Sequence, residues 1–517
     1  MKVGFTPKFD LNAPLDLLLI PVVQDRVLEN PLSARIDRAL GGIITQMSEQ
    51  ENFKGKAGQN LNFNTLGRIG AKRVCLLGIG ERSKLSAEAY RRAGGRGADW
   101  VRKYRAAGVT VACRVPKGGR LSVGELAGAL IEGLSLGLYR FDKYKSKENG
   151  EPHYPGPEEV SIFLCDARGA AVRGPLEALE AVAHRALLVA EGVITARELV
   201  NEIPEVMKPQ KLAEMAVQLS TGIRGLSCRI LDEREMAAEK MGAALAVGRG
   251  SENPPRFIEL LYKPEGVPPD KEIFVMVGKG VTFDSGGLNL KPGESMVTMK
   301  MDMSGAAAVI SAMTTIARLE LPLRCAALVA SVENMPSGRS YRPDDVVRAM
   351  NGITIEVGNT DAEGRLTLAD ALSWAIHKLG AGRIIDLATL TGACVVGLGP
   401  TTAGVFGNDR KWLSMVLEAA QEAGEKCCNL PLDQDMLDDI KSEIADVKNI
   451  GATRWGGAIT AALFLQKFVK DTSWVHVDIA GPSWADKKRH YEPIGGTGYG
   501  VRTLVRLAER LAAEKIK

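Results

Sequence analysis

Histidine is scarce in this chain: five in 517 residues (His153, His184, His377, His476 and His490), none of them four apart. Any metal site must therefore lean on carboxylates rather than imidazoles. The eight cysteines, at 75, 113, 165, 228, 325, 394, 427 and 428, include no C-x-x-C pair. In a chain of this length that argues against a disulfide framework and for reduced thiols in the cytoplasm. No apolar run approaches the roughly 18–20 residues of a membrane span. The N-terminal stretch LDLLLIPVV is apolar, but Asp10 and Asp16 interrupt the region and no small-residue cleavage site follows, so a secretory leader is not expected. Charge of one sign is also missing. Lys+Arg 66 against Asp+Glu 62 leaves +4, too near balance to imply a nucleic-acid or membrane partner. The basic runs KSK (145–147) and KKR (487–489) read as solvated surface. There is no internal repeat and no low-complexity segment.

What is present is ordinary globular material, 45% hydrophobic and 25% charged. The length suits two to four domains, two being simplest. Residues 1–185 read as one α/β unit. Strands are expected at VCLLGIG (74–80), VTVACRV (109–115) and VSIFLCD (160–166), with a helix over 85–108 that carries two adjacent glycines. KYKSKENGEPHYPGPEE (143–159) reads as a surface loop. A long helix over 175–202 links this unit to a second domain, 203–517. There, helices KLAEMAVQLS and REMAAEKMGAALAVGRG flank a short strand, SCRILD. From 256 onward strands and helices alternate: RFIELLYK, IFVMVGKGVTF, RCAALVASVEN, RIIDLATLTG and WVHVDIAG are strands, separated by apolar helices. The fold class is α/β: a smaller N-terminal unit and a larger C-terminal doubly wound domain with a mixed central sheet.

In such sheets ligands gather beyond the carboxyl ends of the strands, and three segments place unusual charges there. VGKGVTFDSGGLNLKPG holds Lys279, Asp284 and Lys291. MVTMKMDMSGAAAV holds Lys300 and Asp302. VGNTDAEGRLTLADAL holds Asp361, Glu363 and Arg365. Asp361 and Glu363, two apart, share a side if the segment is extended, and two such carboxylates need a cation between them. A divalent metal or Arg365 would serve; an Asx turn with a helix cap near Thr367 is the alternative. Asp284 also suits a turn, and Asp302 an ordinary acidic helix start. Lys279 interrupts an apolar strand, where a buried lysine needs a partner or a lowered pKa. Together, Asp284, Asp302, Asp361 and Glu363 can hold two divalent ions. Lys279, Lys291 and Arg365 can face a developing oxyanion.

NTDAEGRL (359–366) resembles the signature octapeptide of the leucyl aminopeptidases, the cytosol aminopeptidases of the M17 class. GKGVTFDSGGLNLKP (278–292) and MKMDMSGAAAV (299–309) are similar to that family's other two site segments, in the same order. Further likeness appears in ARELVNE (196–202), DLATLTGA (386–393), VFGND (405–409), IADVKNIG (444–451), RWGGAITAALFLQKFV (454–469) and HVDIAGPSW (476–484). It covers about 190–515; the first 185 residues match only in general character, family N-terminal domains being macro-like.

The resemblance implies a binuclear metallo-exopeptidase that releases N-terminal leucine and other apolar residues by attack of a metal-bridging water. One metal would be held by Lys279 (as a neutral amine), Asp284, Asp302 and Glu363, the more exchangeable one by Asp284, Asp361 and Glu363. Lys291 would polarise the scissile carbonyl, and Arg365 would hold a bicarbonate that relays the proton. Met299, Thr389, Leu390 and Gly392 correspond to the substrate pocket. The resemblance further implies zinc or manganese (magnesium or cobalt being compatible), peptides with a free N-terminus as substrates, and a homohexamer. Two departures stand out. Met301 replaces a usual tyrosine and, in an extended segment, faces away from the metals. Pro482 and Ser483 lie at the pocket edge. Rival readings are another binuclear metallohydrolase and a DNA-binding accessory protein of the same fold.

Overall fold

The computed structural model describes residues 1–116, 121–146, 154–172 and 176–514. The loop expected at 143–159, the start of the helix expected at 175 and the last residue of KSK therefore lie partly outside the described residues. By its internal contacts the chain forms two units, Met1–Ala190 with Lys487–Pro493, and Glu191–Asp486 with Ile494–Lys517.

The first unit is built on six strands: β1 (Lys2–Phe5), β2 (Leu15–Val22), β3 (Asn60–Asn64), β4 (Ala71–Gly78), β5 (Gly108–Arg114) and β6 (Glu159–Cys165). Their order is β1-β6-β5-β2-β4-β3, parallel throughout except for β3 against β4. LDLLLIPV, apolar and unassigned in the sequence reading, is β2, paired with β4 and β5. A strand buried on both faces needs a continuous apolar run, which also makes it look like a leader. The helix Ala87–Lys103 runs unbroken through Gly94 and Gly95. It packs against the helix Val123–Leu138 so closely that a Cβ on Gly94 would lie 2.5 Å from the Leu130 carbonyl oxygen. Gly94 serves helix–helix approach, and Gly95, where a Cβ would lie 2.7 Å from Tyr491 Cβ, makes room for that residue; neither breaks the helix.

The second unit carries β7 (Leu226–Leu231), β8 (Arg256–Tyr262), β9 (Ile273–Gly278), β10 (Gly280–Asp284), β11 (Cys325–Asn334), β12 (Val346–Arg348), β13 (Thr354–Glu356), β14 (Ala381–Ala388), β15 (Ala403–Gly407), β16 (Cys427–Asn429), β17 (Val447–Lys448) and β18 (Ser473–Asp478). The main sheet runs β16-β15-β18-β14-β9-β11-β8-β7, with β10 paired to β11. β18, β14, β9 and β11 are parallel; β15 and β8 are antiparallel to their inner neighbours, so the sheet is mixed. Val275, Val277, Ala326 and Leu328 form one core with the helices Gly364–His377 and Gly457–Gln466. Phe274 and Met276 alternate with them toward the other face, and the helix Ser304–Arg318 packs on the same strands. A small sheet, β12-β13-β17, stands apart from the main one.

Two expected elements are split. REMAAEKMGAALAVGRG is two short helices, Glu233–Ala238 and Gly242–Gly248, because Lys240 takes a left-handed φ of 62° between them. IFVMVGKGVTF breaks at Lys279, and β10 then resumes the parallel pairing with β11 that β9 makes. The main chain explains the break: Lys279 N–H donates to the Leu387 carbonyl and its own carbonyl accepts from Ala306 N–H.

Candidate metal centre

Lys279 lies at the break between β9 and β10 and is 3% exposed. Its ammonium donates to Asp302 Oδ1 at 2.8 Å and to the Thr389 carbonyl at 2.9 Å, and stands 2.9 Å from Glu363 Oε1. A Cβ on Gly364 would lie 2.4 Å from its Cε, so the helix Gly364–His377 begins with glycine where the lysine stem passes. Asp284 ends β10. Its Oδ1 accepts from Gly286 N–H at 2.9 Å and from Asn334 Nδ2 at 2.8 Å, and its Oδ2 lies 2.9 Å from Lys291 Nζ. Lys291 also reaches Asp361 Oδ1 at 2.5 Å. Asp302, in the 3-10 turn Met299–Met303, accepts from the Thr389 hydroxyl at 2.7 Å. One oxygen each from Asp284, Asp361 and Glu363 lie within 4.8 Å of one another.

The segment 359–363 is not extended. Asn359 Oδ1 accepts from Asp361 N–H at 2.7 Å, which closes an Asx turn, and Glu363 is already helical at φ −74°, ψ −35°. The two carboxylates converge through a turn into a helix N-terminus, where the helix dipole favours negative charge. The turn is therefore real, but the helix starts at Gly364 rather than near Thr367, and the turn and the cluster are one object.

Burial, reinforced by Asp284, pushes the Glu363 and Asp361 carboxyls above their ordinary range; burial does the same for Asp302 against the pull of Lys279. Burial opposes the charge on Lys279 and Lys291, but the surrounding carboxylates outweigh it and hold both ammoniums above their usual value. Asp302 Oδ2 and Glu363 Oε2 receive no hydrogen bond, and Glu363 Oε1 and Asp361 Oδ1 have a lysine ammonium beside them, at 2.9 and 2.5 Å, as their one donor. Buried carboxylate oxygens without donors are costly and rare. A set of hard oxygen atoms short of donors fits divalent cations.

Arg365 is buried. Its Nη1 donates to the Asn449 carbonyl at 2.6 Å, its Nε has no partner, and burial pulls the guanidinium down to about 10. Of the residues assigned to a substrate pocket, Thr389 is tied to Lys279 and Asp302. Leu390 N–H donates to Asp478 Oδ1 at 3.2 Å, and Gly392 opens the helix Gly392–Leu398. Met299 shares the 3-10 turn with Asp302. Met301, expected in an extended segment, is in that same turn, its sulfur 3.7 Å from Ser483 Oγ.

Several polar groups around the site were not singled out in the sequence. Asn334 donates to both Asp284 and the Thr360 carbonyl, and Tyr341 hydroxyl to that same carbonyl at 2.6 Å. Asn334 has one signal, a polar residue closing an apolar strand, and Tyr341, in the loop beyond it, has none. His476 is fully buried, with Nδ1 2.6 Å from Asp386 Oδ1. Burial lowers its pKa, but the Asp386 charge and hydrogen bond outweigh this, so it lies above 6.5. Such a group contributes stability that is complete below the unfolded pKa and lost as pH rises through the folded one. His476→Gln is expected to flatten that fall, read as thermal midpoints between about pH 5.5 and about pH 9.

A doubly wound α/β unit with a lysine-laced carboxylate cluster at its strand ends defines a metal-dependent hydrolase. Residues 194–505 match the catalytic domain model of the cytosol aminopeptidase family, and 19–148 its N-terminal domain model. A probable cytosol aminopeptidase of Syntrophotalea carbinolica is 43% identical over 98% of this chain and 99% of its own length. One from Aquifex aeolicus is 45% identical over 91% of each. A mutant of tomato leucine aminopeptidase superposes with a TM-score of 0.88 at 37% identity, covering 99% of this chain and 96% of its own. The bottromycin maturation enzyme BotP, in complex with Mn, gives 0.82 at 34% identity, covering 96% and 100%. The chain belongs to the cytosol aminopeptidase family of metal-dependent aminopeptidases. No helix among the described residues is long and apolar enough to cross a membrane.

Proposed function

We propose that the protein removes N-terminal amino acids, leucine and other apolar residues first, from peptides, using two divalent ions per chain. The observation that carries this is the convergence of carboxylate oxygens from Asp284, Asp361 and Glu363 within 4.8 Å, with Asp302 Oδ2 and Glu363 Oε2 buried and without a donor. Lys279, Asp284, Asp302 and Glu363 would hold one ion, and Asp284, Asp361 and Glu363 the other. Such ions supply Lewis-acid polarisation of a carbonyl and a water acidic enough to act at neutral pH. Lys279 can offer a lone pair only after losing its proton, and a divalent charge in exchange keeps the carboxylates compensated.

The remaining chemistry belongs to side chains. Lys291, poised between Asp284 and Asp361, donates to the oxyanion that develops on the scissile carbonyl. Arg365, cationic and with an unused Nε, binds a small anion; bicarbonate there would take the proton from the attacking water. Met299, Thr389, Leu390 and Gly392 would receive the first side chain. The Mn in BotP and the tomato enzyme's name support manganese among the candidate metals and leucine among the substrates. The relatives' names support a cytoplasmic place of action, and the family resemblance supports a homohexamer.

The test is hydrolysis of leucine p-nitroanilide by metal-stripped protein, then with Zn or Mn restored, beside the N-acetylated substrate. Metal-dependent cleavage of the free-amine substrate alone is expected. Equal cleavage of both, or none with metal bound across a panel of N-terminal residues, sinks the assignment.

A further inference from the structure

We infer that Asn449 is a positioning residue that locks the loop bearing Asp361 and Glu363 to Arg365. It sits just beyond β17 and is completely buried. An asparagine side chain has two acceptor and two donor positions, and all four are used on one loop. Oδ1 accepts from Gly358 N–H at 2.7 Å and Asn359 N–H at 3.3 Å. Nδ2 donates to the Asn359 carbonyl at 2.7 Å and the Ala362 carbonyl at 3.4 Å. Its own main chain completes the lock. Asn449 N–H donates to the Glu356 carbonyl at 3.0 Å, and its carbonyl takes Arg365 Nη1 at 2.6 Å. No other protein atom bonds that guanidinium in the described residues, so its direction depends on where Asn449 stands.

The residue type is demanded by the pattern. Aspartate could keep the two acceptor bonds but could not donate, and would add a charge beside the carboxylate cluster. Glutamine would push the amide past the loop by one methylene. Alanine would leave three main-chain groups of a half-buried turn without partners, the Gly358 and Asn359 N–H groups and the Ala362 carbonyl, and the Asn449 carbonyl free to drift with Arg365. Gly358 helps close the joint, since a Cβ there would lie 2.7 Å from Ile450 Cγ1. A purely structural asparagine would answer only to the stability of the fold. This one ties two parts of the proposed machinery, the turn that carries the carboxylates and the guanidinium of Arg365.

The inference rests on the peptidase reading, so the experiment has two arms. In the first, kcat and KM for leucine p-nitroanilide are measured on the full chain loaded with Mn, for wild type, Asn449→Ala, Arg365→Ala and the double variant. Outer-shell partners of this kind cost about 10–100-fold when removed. Asn449→Ala is expected to lose that much in kcat with little change in KM, and the double variant to fall no further than the worse single one, the mark of groups acting as a unit. Losses that multiply in the double variant overturn the inference, as does a wild-type kcat for Asn449→Ala. In the second arm, Mn binding to metal-stripped protein is measured by equilibrium dialysis. Weaker binding by Asn449→Ala is expected, and unchanged affinity counts against the lock even where the wild type hydrolyses nothing, a result that would condemn only the peptidase reading. If Asn449→Ala fails to fold, Asn449→Asp, which keeps the two acceptor bonds, decides both arms by the same criteria.

Discussion

Glu363→Gln is expected to lower kcat/KM for leucine p-nitroanilide by about 10³-fold and to reduce the metal retained per chain, because metal polarisation is worth several kcal/mol and each 1.36 kcal/mol is tenfold. Glutamine keeps the volume, the helix start and one oxygen. It removes the negative charge and turns the other oxygen into a donor that would point at Lys279 or at a cation. Glu363 is 1% exposed and its Oε1 stands 2.9 Å from Lys279 Nζ, so the lost charge falls on that lysine and on any bound cation rather than on water. Lys279 loses one of the carboxylates that hold its ammonium. Metal content by elemental analysis, beside the rate and a circular dichroism spectrum, separates the outcomes. A folded variant with wild-type activity and metal would remove Glu363 from the ligand set.

The second large effect is expected at Lys291. Replacing it with methionine keeps most of the stem but removes the ammonium. If that group acts on charge that develops during the reaction, kcat falls by about 10²–10³-fold while KM changes little, as for loss of an oxyanion donor. The geometry offers a second outcome. Lys291 also neutralises Asp284 and Asp361, at 2.9 Å and 2.5 Å. Were that its whole task, Lys291→Met would leave kcat near wild type once metal is saturating. Steady-state kinetics at increasing Mn decides between the two.

The two lysines and the carboxylates were legible in the sequence because charge in an apolar strand or at its end is conspicuous. Lys279 inside IFVMVGKGVTF could be recognised as anomalous from its neighbours alone. Its conformational consequence, the break between β9 and β10, could not, since it depends on Leu387 and Ala306, far along the chain. The carboxylates of Asp361 and Glu363 come together through the Asx turn that stood as the alternative and not through an extended segment, because Asn359 closes a turn that periodicity does not see. Asn334 and Asn449 were invisible for a different reason. An uncharged amide at a strand end is what any loop contains, and its meaning lies in bonds to residues 26 to 91 positions away. The doubly wound class was readable from alternation of strands and helices. The glycine pair in the helix Ala87–Lys103 was not, because its partners, a separate helix and Tyr491, lie elsewhere in the chain.

The ion pairs of Lys279 with Asp302 and Glu363, and of Lys291 with Asp284 and Asp361, have a consequence for how the protein is assembled in time. Each carboxylate already has a counter-charge supplied by the chain itself, from a residue no more than 84 positions away in sequence. Polypeptides that lack such internal counter-ions, small zinc modules among them, reach their fold only when metal arrives. Here the lysines offset the repulsion between the acids without metal, so that folding need not wait for loading. Starvation for metal would then silence the enzyme while sparing the protein, leaving a reserve that regains activity when the ions return.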